Sequence, residues 1–234
     1  MKLLRIRLFA LVAVVAAPLL AQASAGTEVL QAQCAACHAL TKPADTSLER
    51  LLARKGPDLY YAGIKFNRDW LVRWLENPTV IRPAGVMYRN VVKPSGTAGT
   101  PDVIDASQVP AHVKLSAADA AAVADALMAL GPDLALVQKG AFKQEAANAA
   151  MATLLFNKLR GCSSCHAAKP ESGPHSGPEL FSAGDRLQGD YVVEYIRNPQ
   201  KFDPHIWMPK LELTDADIQK LTGYLMTLKQ AGAK

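Results

Sequence analysis

Two short motifs hold all four cysteines of this 234-residue chain. One runs from Cys34 to His38 and the other from Cys162 to His166, and both read Cys-x-x-Cys-His. Two thiols three residues apart can each add to one vinyl group of a haem, and the adjacent His can then bind the iron. The sequence therefore predicts two covalent haem c groups, attached through Cys34, Cys37, Cys162 and Cys165, with His38 and His166 as iron ligands.

A zinc site and a thiol redox centre are the alternative readings of these motifs. Two Cys-x-x-Cys pairs could together supply four thiolates, but such a site has no use for the His that follows each pair. Cys162 also lies 128 residues after Cys34, in what proves to be a separate repeat. No βαβ pattern of the kind found around dithiol enzymes surrounds either motif.

The first 25 residues have the pattern of a secretory signal peptide. Lys2, Arg5 and Arg7 precede an unbroken apolar run over residues 8–21, and A-x-A-like cleavage sites end at Ala23 and Ala25. The run is short for a membrane span, which needs roughly 20 apolar residues. Cleavage after Ala25 would leave 209 residues, and we expect no membrane span in them. Retention of the segment as an anchor is the alternative.

Charge gives no reason to expect a nucleic-acid partner. The chain is +5, but three of its 26 Lys and Arg residues and none of its 21 Asp and Glu residues lie in the predicted signal. The mature chain would be +2, and the propionates of two haems would bring it close to zero. The net charge therefore gives no argument for binding to nucleic acid or to a membrane surface.

The chain contains an internal repeat. Residues 69–78 read DWLVRWLENP and residues 190–199 read DYVVEYIRNP, a shift of 121 residues. Met87 and Met208 follow at the same shift, and Gly56-Pro57 precedes as Gly177-Pro178 does. We predict a signal at 1–25, a first domain at 26–132 with an insertion over about 88–112, and a second domain at 133–234.

Both repeats are predicted to be helical, which gives an all-α fold. Helices are expected over 28–38, 69–76, 144–165 and 190–197, and no segment shows sustained strand alternation. Ser116 and Thr214, each followed by Asp three residues later, resemble the start of a capped helix. Behind them, apolar residues with 3, 4, 3 spacing form one face in each repeat.

Each repeat resembles a class I cytochrome c domain. The order is a helix, Cys-x-x-Cys-His, Gly-Pro-x-Leu, a middle helix, a Met and a capped last helix. The whole mature chain is similar to the tandem two-domain dihaem cytochromes c of bacteria. This resemblance implies export to the periplasm, because bacteria attach haem to such proteins outside the cytoplasm. It also implies that the carbonyls of Pro57 and Pro178 accept hydrogen bonds from the proximal histidines.

The resemblance places Met208, which precedes a Pro, as the second iron ligand of the second haem. Met87 stands in register with it but lacks the Pro, and His112 in the insertion could compete for the first haem. A Met ligand raises the reduction potential relative to a second His. Otherwise we expect His112 to be a loop residue facing solvent.

The sequence thus predicts a periplasmic electron carrier and not an enzyme. Two haems with both axial positions filled leave no open site for substrate. The expected partners are redox proteins, with docking to a larger dehydrogenase or oxidase as a further form of the same role. The alternative is a dihaem enzyme, such as a peroxidase or a thiosulfate-oxidising cytochrome, with one haem not bound by Met.

Overall fold

The computed structural model describes residues 16–81, 83–100, 102–144, 149–170, 173–174 and 176–230. The described chain is mainly helical, which confirms the helix-rich expectation. Six helices belong to its first half: α1 (Ala16–Gln33), α2 (Leu48–Ala53), α3 (Ala62–Lys65), α4 (Arg68–Glu76), α5 (Val86–Val91) and α6 (Ala117–Met128). Four belong to its second half: α7 (Ala149–Leu154), α8 (Ala183–Arg186), α9 (Gly189–Arg197) and α10 (Asp215–Thr227).

The first half is built around α6, which packs against α1 and α4. Ala120, Val123 and Leu127, predicted to form one face of this helix, are buried. At Gly26 a Cβ atom would overlap the backbone of Ala122, so α1 and α6 approach more closely than a side chain would allow. Their cluster also encloses Cys34, which brings the first motif against the core.

The second half is organised in the same way around α10, which packs against α7, α8 and α9. Ile218, Leu221 and Leu225 are its buried apolar residues, as the apolar spacing predicts. Matching residues tie the short helices to these cores, because Gly63 N–H donates to Leu130 O over 3.0 Å and Gly184 N–H donates to Leu228 O over 2.9 Å.

The motif helices differ in detail from the prediction. α1 ends at Gln33, and the first motif follows as a turn instead of continuing the helix to residue 38. Before the second motif, α7 passes into a π-helical turn over Leu155–Leu159 and then stops at Gly161. Gly161 has φ of +63°, a left-handed conformation that ends a helix and that glycine adopts most easily.

The insertion of the first half contains a small antiparallel ladder, which the all-α prediction did not include. Strands β1 (Val92–Lys93) and β2 (Val103–Ile104) pair there, and a short 3₁₀ turn follows over Ala106–Gln108. Two residues per strand are too few to show sequence alternation, so the pattern could not be detected.

Reciprocal hydrogen bonds join the two halves. Asn67 N–H donates to Arg186 O over 2.8 Å, and Gln188 N–H donates to Lys65 O over 2.9 Å. The two bonds exchange equivalent positions of the repeat, since Gln188 lies 121 residues after Asn67 and Arg186 lies 121 residues after Lys65. The contact is therefore close to two-fold symmetric within one chain.

The predicted segment boundaries stay predictions. Residues 1–15 of the predicted signal lie outside the described residues, and the expected cleavage point after residue 25 falls within α1. Gly131 has φ of +95° and Pro132 begins a 3₁₀ turn, so the chain does turn where the second domain was expected to begin. Among the helices of the described ranges, none has both the length and the apolar character needed to cross a membrane.

Candidate haem-binding sites

The two Cys-x-x-Cys-His motifs adopt the same local structure. His38 N–H donates to Cys34 O over 3.0 Å, and His166 N–H donates to Cys162 O over 3.0 Å. This turn brings the histidine back beside its first cysteine. None of the four cysteines forms a disulfide.

Each pair has one cysteine on the core side and one outside. Cys34 is buried and Cys162 partly buried, whereas Cys37 and Cys165 are exposed. Burial raises the pKa of the Cys34 and Cys162 thiols, so they are protonated at neutral pH. Within the described ranges, no three His, Cys, Asp or Glu side chains are grouped as a metal site. Cys34 belongs to one hydrophobic cluster and Cys162 packs against the other.

Both histidine rings are oriented by the Gly-Pro segments. His38 Nδ1 lies 2.7 Å from Pro57 O, and His166 Nδ1 lies 2.8 Å from Pro178 O. These are the hydrogen bonds that the family resemblance implies. A ring that donates Nδ1–H to a carbonyl keeps the lone pair of Nε2 for a metal. Burial lowers the pKa of His38, which favours the neutral ring that a metal requires.

The glycine before each proline leaves room for the ring. A Cβ atom on Gly56 would lie 2.6 Å from Cε1 of His38, and one on Gly177 would lie 2.8 Å from Cε1 of His166. The cradle, the orienting carbonyl and the paired thiols together fit a covalently bound haem c.

Aromatic pairs stand beside both sites. Trp70 and Trp74 stack with ring centroids 5.6 Å apart and are packed against the cluster that contains Cys34. Tyr191 and Tyr195, in the equivalent positions, have centroids 5.3 Å apart and belong to the cluster that contacts Cys162. These residues therefore pack against the two hydrophobic clusters.

The expected Met ligands have different surroundings. Met208 is partly buried and packs against the second cluster, which includes Tyr191 and Phe202. Its carbonyl accepts a hydrogen bond of 2.8 Å from Gln200 Nε2. Met87 is partly buried in the first turn of α5, where its N–H donates to Ala84 O over 3.2 Å.

The remaining histidines are also placed. His112 is exposed but does not simply face solvent, because its ring packs on Trp74 with centroids 4.4 Å apart. Its ring centroid lies 6.3 Å from that of His38. His205 is exposed and its N–H donates to Asp203 Oδ1 over 3.0 Å. His175 lies outside the described residues.

Two cations at the junction of the halves were missed by the sequence reading. Lys65 Nζ lies 4.9 Å from the centroid of Phe66 and 5.7 Å from that of Tyr191, and desolvation lowers its pKa to about 8. Arg186 is 7% exposed and donates to Glu179 O over 2.6 Å. Both residues occupy the same position of the repeat, and that shared cation is the signal that could have identified them.

A carboxylate network lies next to the first Gly-Pro segment. Asp58, which follows Pro57, is 7% exposed and accepts hydrogen bonds from Arg50 over 2.6 Å and from Arg54 over 3.1 Å. Arg54 also reaches Asp203 of the second half over 3.3 Å. The network therefore fixes the first Gly-Pro segment and links it to the loop before Met208.

Comparison with known families agrees with the second of these sites. The model of the family "Cytochrome C oxidase, cbb3-type, subunit III" matches residues 147–225. This supports a c-type cytochrome. The matched stretch contains Cys162, Cys165, His166, Pro178 and Met208, and it supports covalently bound haem c with a role in electron transfer. No curated protein and no solved structure matches the chain.

Proposed function

We propose that this chain is an exported dihaem cytochrome c that carries single electrons between protein partners in the periplasm. The observation that carries the proposal is the duplicated proximal site. Each Cys-x-x-Cys-His turn has its histidine oriented by a proline carbonyl, at 2.7 Å from Pro57 and 2.8 Å from Pro178. The family match covers only the second site, so the first haem is inferred from this shared geometry.

The residues of the chain divide the work at each site. The thiols of Cys34, Cys37, Cys162 and Cys165 would hold the haems covalently, and His38 and His166 would bind the irons through Nε2. The haem supplies a reversible one-electron couple between ferric and ferrous iron. The carbonyls of Pro57 and Pro178 keep each imidazole in one orientation and make it a better ligand.

Met208 would supply the second protein ligand of the second haem. Its thioether sulfur is a soft ligand that favours ferrous iron and raises the potential. Met87 or His112 would supply the second protein ligand of the first haem. Either residue would leave the iron without an open position for substrate, so an electron carrier is favoured over an enzyme.

The contact between the halves gives the two haems a common scaffold. Tyr61 and Tyr191 stack across it with centroids 6.3 Å apart, and Tyr60 Oη donates to Phe202 O over 3.2 Å. A rigid junction keeps the distance between two redox groups constant, which suits transfer of an electron within the molecule. The partners are redox proteins. The name of the matching family makes a respiratory oxidase one reasonable acceptor.

Haem stoichiometry tests the proposal. The protein is expressed in a bacterium with haem-attachment machinery, and haem c per chain is counted from the alkaline pyridine spectrum and from the intact mass. We expect two haems in the wild type, one in Cys34→Ala/Cys37→Ala and one in Cys162→Ala/Cys165→Ala. Reductive titration should show two one-electron steps. A single haem in the wild type, or bound zinc, would refute the dihaem assignment.

A further inference from the structure

We infer that His112, and not Met87, is the second axial ligand of the first haem. The inference rests on the proposed function, in that it requires a haem on the first motif. His112 follows the inserted hairpin of the first half, and its ring lies 6.3 Å from the ring of His38, centroid to centroid. Among the described residues, no other histidine ring lies as close to the ring of His38.

The separation of the two rings is the one that an iron between them requires. An imidazole nitrogen lies roughly 2.0 Å from a bound metal, and the ring centroid lies about 1.1 Å behind that nitrogen. Two imidazoles on opposite sides of one metal therefore have centroids about 6.2 Å apart. His38 and His112 already have this spacing.

The hydrogen bonds leave the required nitrogen available on both rings. His38 Nδ1 is bonded to Pro57 O, and His112 Nδ1 lies 2.9 Å from Val113 O. Metal-binding histidines commonly donate their second nitrogen to a backbone carbonyl in this way, which fixes the tautomer. The Trp74 ring, edge to face with His112 at 4.4 Å, holds the imidazole in position.

The insertion explains why the sequence offers both Met87 and His112 as the equivalent of Met208. Counted from the shared Asn-Pro, Met87 is in register with Met208. Counted back from the capped last helix, His112 stands four residues before Ser116, and Met208 stands six before Thr214. The insertion shifts the alignment on Asn-Pro relative to the alignment on the last helix. Shortly before the last helix, the first half has His112 and the second half has Met208.

Unequal ligands would make electron transfer between the two haems favourable in one direction. A haem with two His ligands has a lower reduction potential than one with His and Met. A single electron in the molecule would then reside mainly on the second haem, which has the higher potential. The first haem, with the lower potential, would require the stronger reductant. Equal ligation would not create this difference.

Absorption and electron paramagnetic resonance spectra of the oxidised holoprotein test the inference. The quantity to follow is the weak long-wavelength charge-transfer band from Met sulfur to ferric iron. We expect Met208→Ala to remove the whole band and Met87→Ala to leave it unchanged. His112→Ala should convert one of two low-spin signals to high spin, and His112→Met should double the band and raise the lower potential.

His205→Ala is the matched control, because His205 is an exposed loop histidine near the second site. It should change neither the band nor the low-spin signals. The inference is overturned if Met87→Ala removes half of the band, or if His112→Ala keeps both signals low-spin. Haem counting separates the two levels: fewer than two haems refutes the dihaem function, whereas two haems with Met87 on the iron refutes only this ligand.

Discussion

At the residue scale, the glycine before each proline has a steric role. Neither Gly56 nor Gly177 has a positive φ, so the backbone itself would accept alanine at both positions. The obstacle is the imidazole, since a Cβ on Gly56 would also lie 2.9 Å from His38 Nδ1. A methyl group there must displace the ring from the proline carbonyl that orients it, or shift the backbone carbonyl of Cys37 or Cys165, which would lie 3.2 Å and 2.7 Å from the added Cβ.

Gly56→Ala and Gly177→Ala should therefore each destabilise one of the two proposed haem sites. We expect a loss of about 1–3 kcal/mol in the free energy of unfolding, the usual cost of overpacking, together with a shifted potential of one haem. Denaturant unfolding and redox titration of the holoprotein measure the two effects. Ser176→Ala, at an exposed neighbour of Gly177, is the control, and it should stay within about 0.5 kcal/mol of wild type. Unchanged unfolding in both glycine variants would contradict the steric account.

At the element scale, the last helix of each half begins with a side-chain cap. Ser116 Oγ accepts from Asp119 N–H over 3.2 Å, and Thr214 Oγ1 accepts from Asp217 N–H over 3.1 Å. The expected cap is confirmed in both repeats. In a capping box, the Glu side chain accepts a hydrogen bond from the backbone N–H of the cap residue. Here Asp119 Oδ2 accepts one from the hydroxyl of the cap residue, Ser116, over 2.8 Å.

Removing either cap should weaken the helix on which its core is built. Ser116→Ala and Thr214→Ala are each expected to cost about 1 kcal/mol, because one N–H of the first turn loses its partner. Ser116→Thr should retain most of the stability, since a threonine hydroxyl can accept from Asp119 N–H and donate to the Asp119 carboxylate as serine does. Chemical unfolding of the holoprotein measures these differences. If the alanine variants match the wild type, the caps do not contribute to stability.

At the scale of the whole molecule, two side chains hold the halves together. Asn67 Nδ2 donates to Asp185 O over 2.9 Å and to Leu187 O over 3.1 Å. Gln188 Nε2, its counterpart, donates to Gly63 O over 2.8 Å and to Phe66 O over 2.7 Å. Each amide therefore satisfies two carbonyls of the opposite half.

Asn67→Ala and Gln188→Ala should loosen this junction. Each is expected to cost about 1–3 kcal/mol, because two carbonyls lose a donor, and the two effects should not add, since the side chains share one contact. Unfolding followed at each of the two proposed haems should become less concerted, and electron transfer between them should slow. Gln108→Ala, at an exposed position of the insertion, is the control. Wild-type behaviour in both junction variants would show that other contacts hold the halves.

The sequence by itself predicted the local chemistry and determined most of the local structure. The spacing of Cys34, Cys37 and His38 predicts haem attachment because the reacting groups lie within one turn. The ends of α4 and α9 were predicted to within a residue, since proline after Asn77 and Asn198 prevents the helix from continuing. The helix caps were predictable for the same reason, as their partners are three residues apart.

Only the tertiary structure decided which distant residues meet. Asn67 and Gln188 look like ordinary polar residues until the halves pack together, and Lys65 gives no sign of its aromatic surroundings. His112 reads as a loop residue, yet the path of the insertion brings it to 6.3 Å from His38. Such contacts depend on how separate segments are oriented in space, and no local pattern of side chains encodes that orientation.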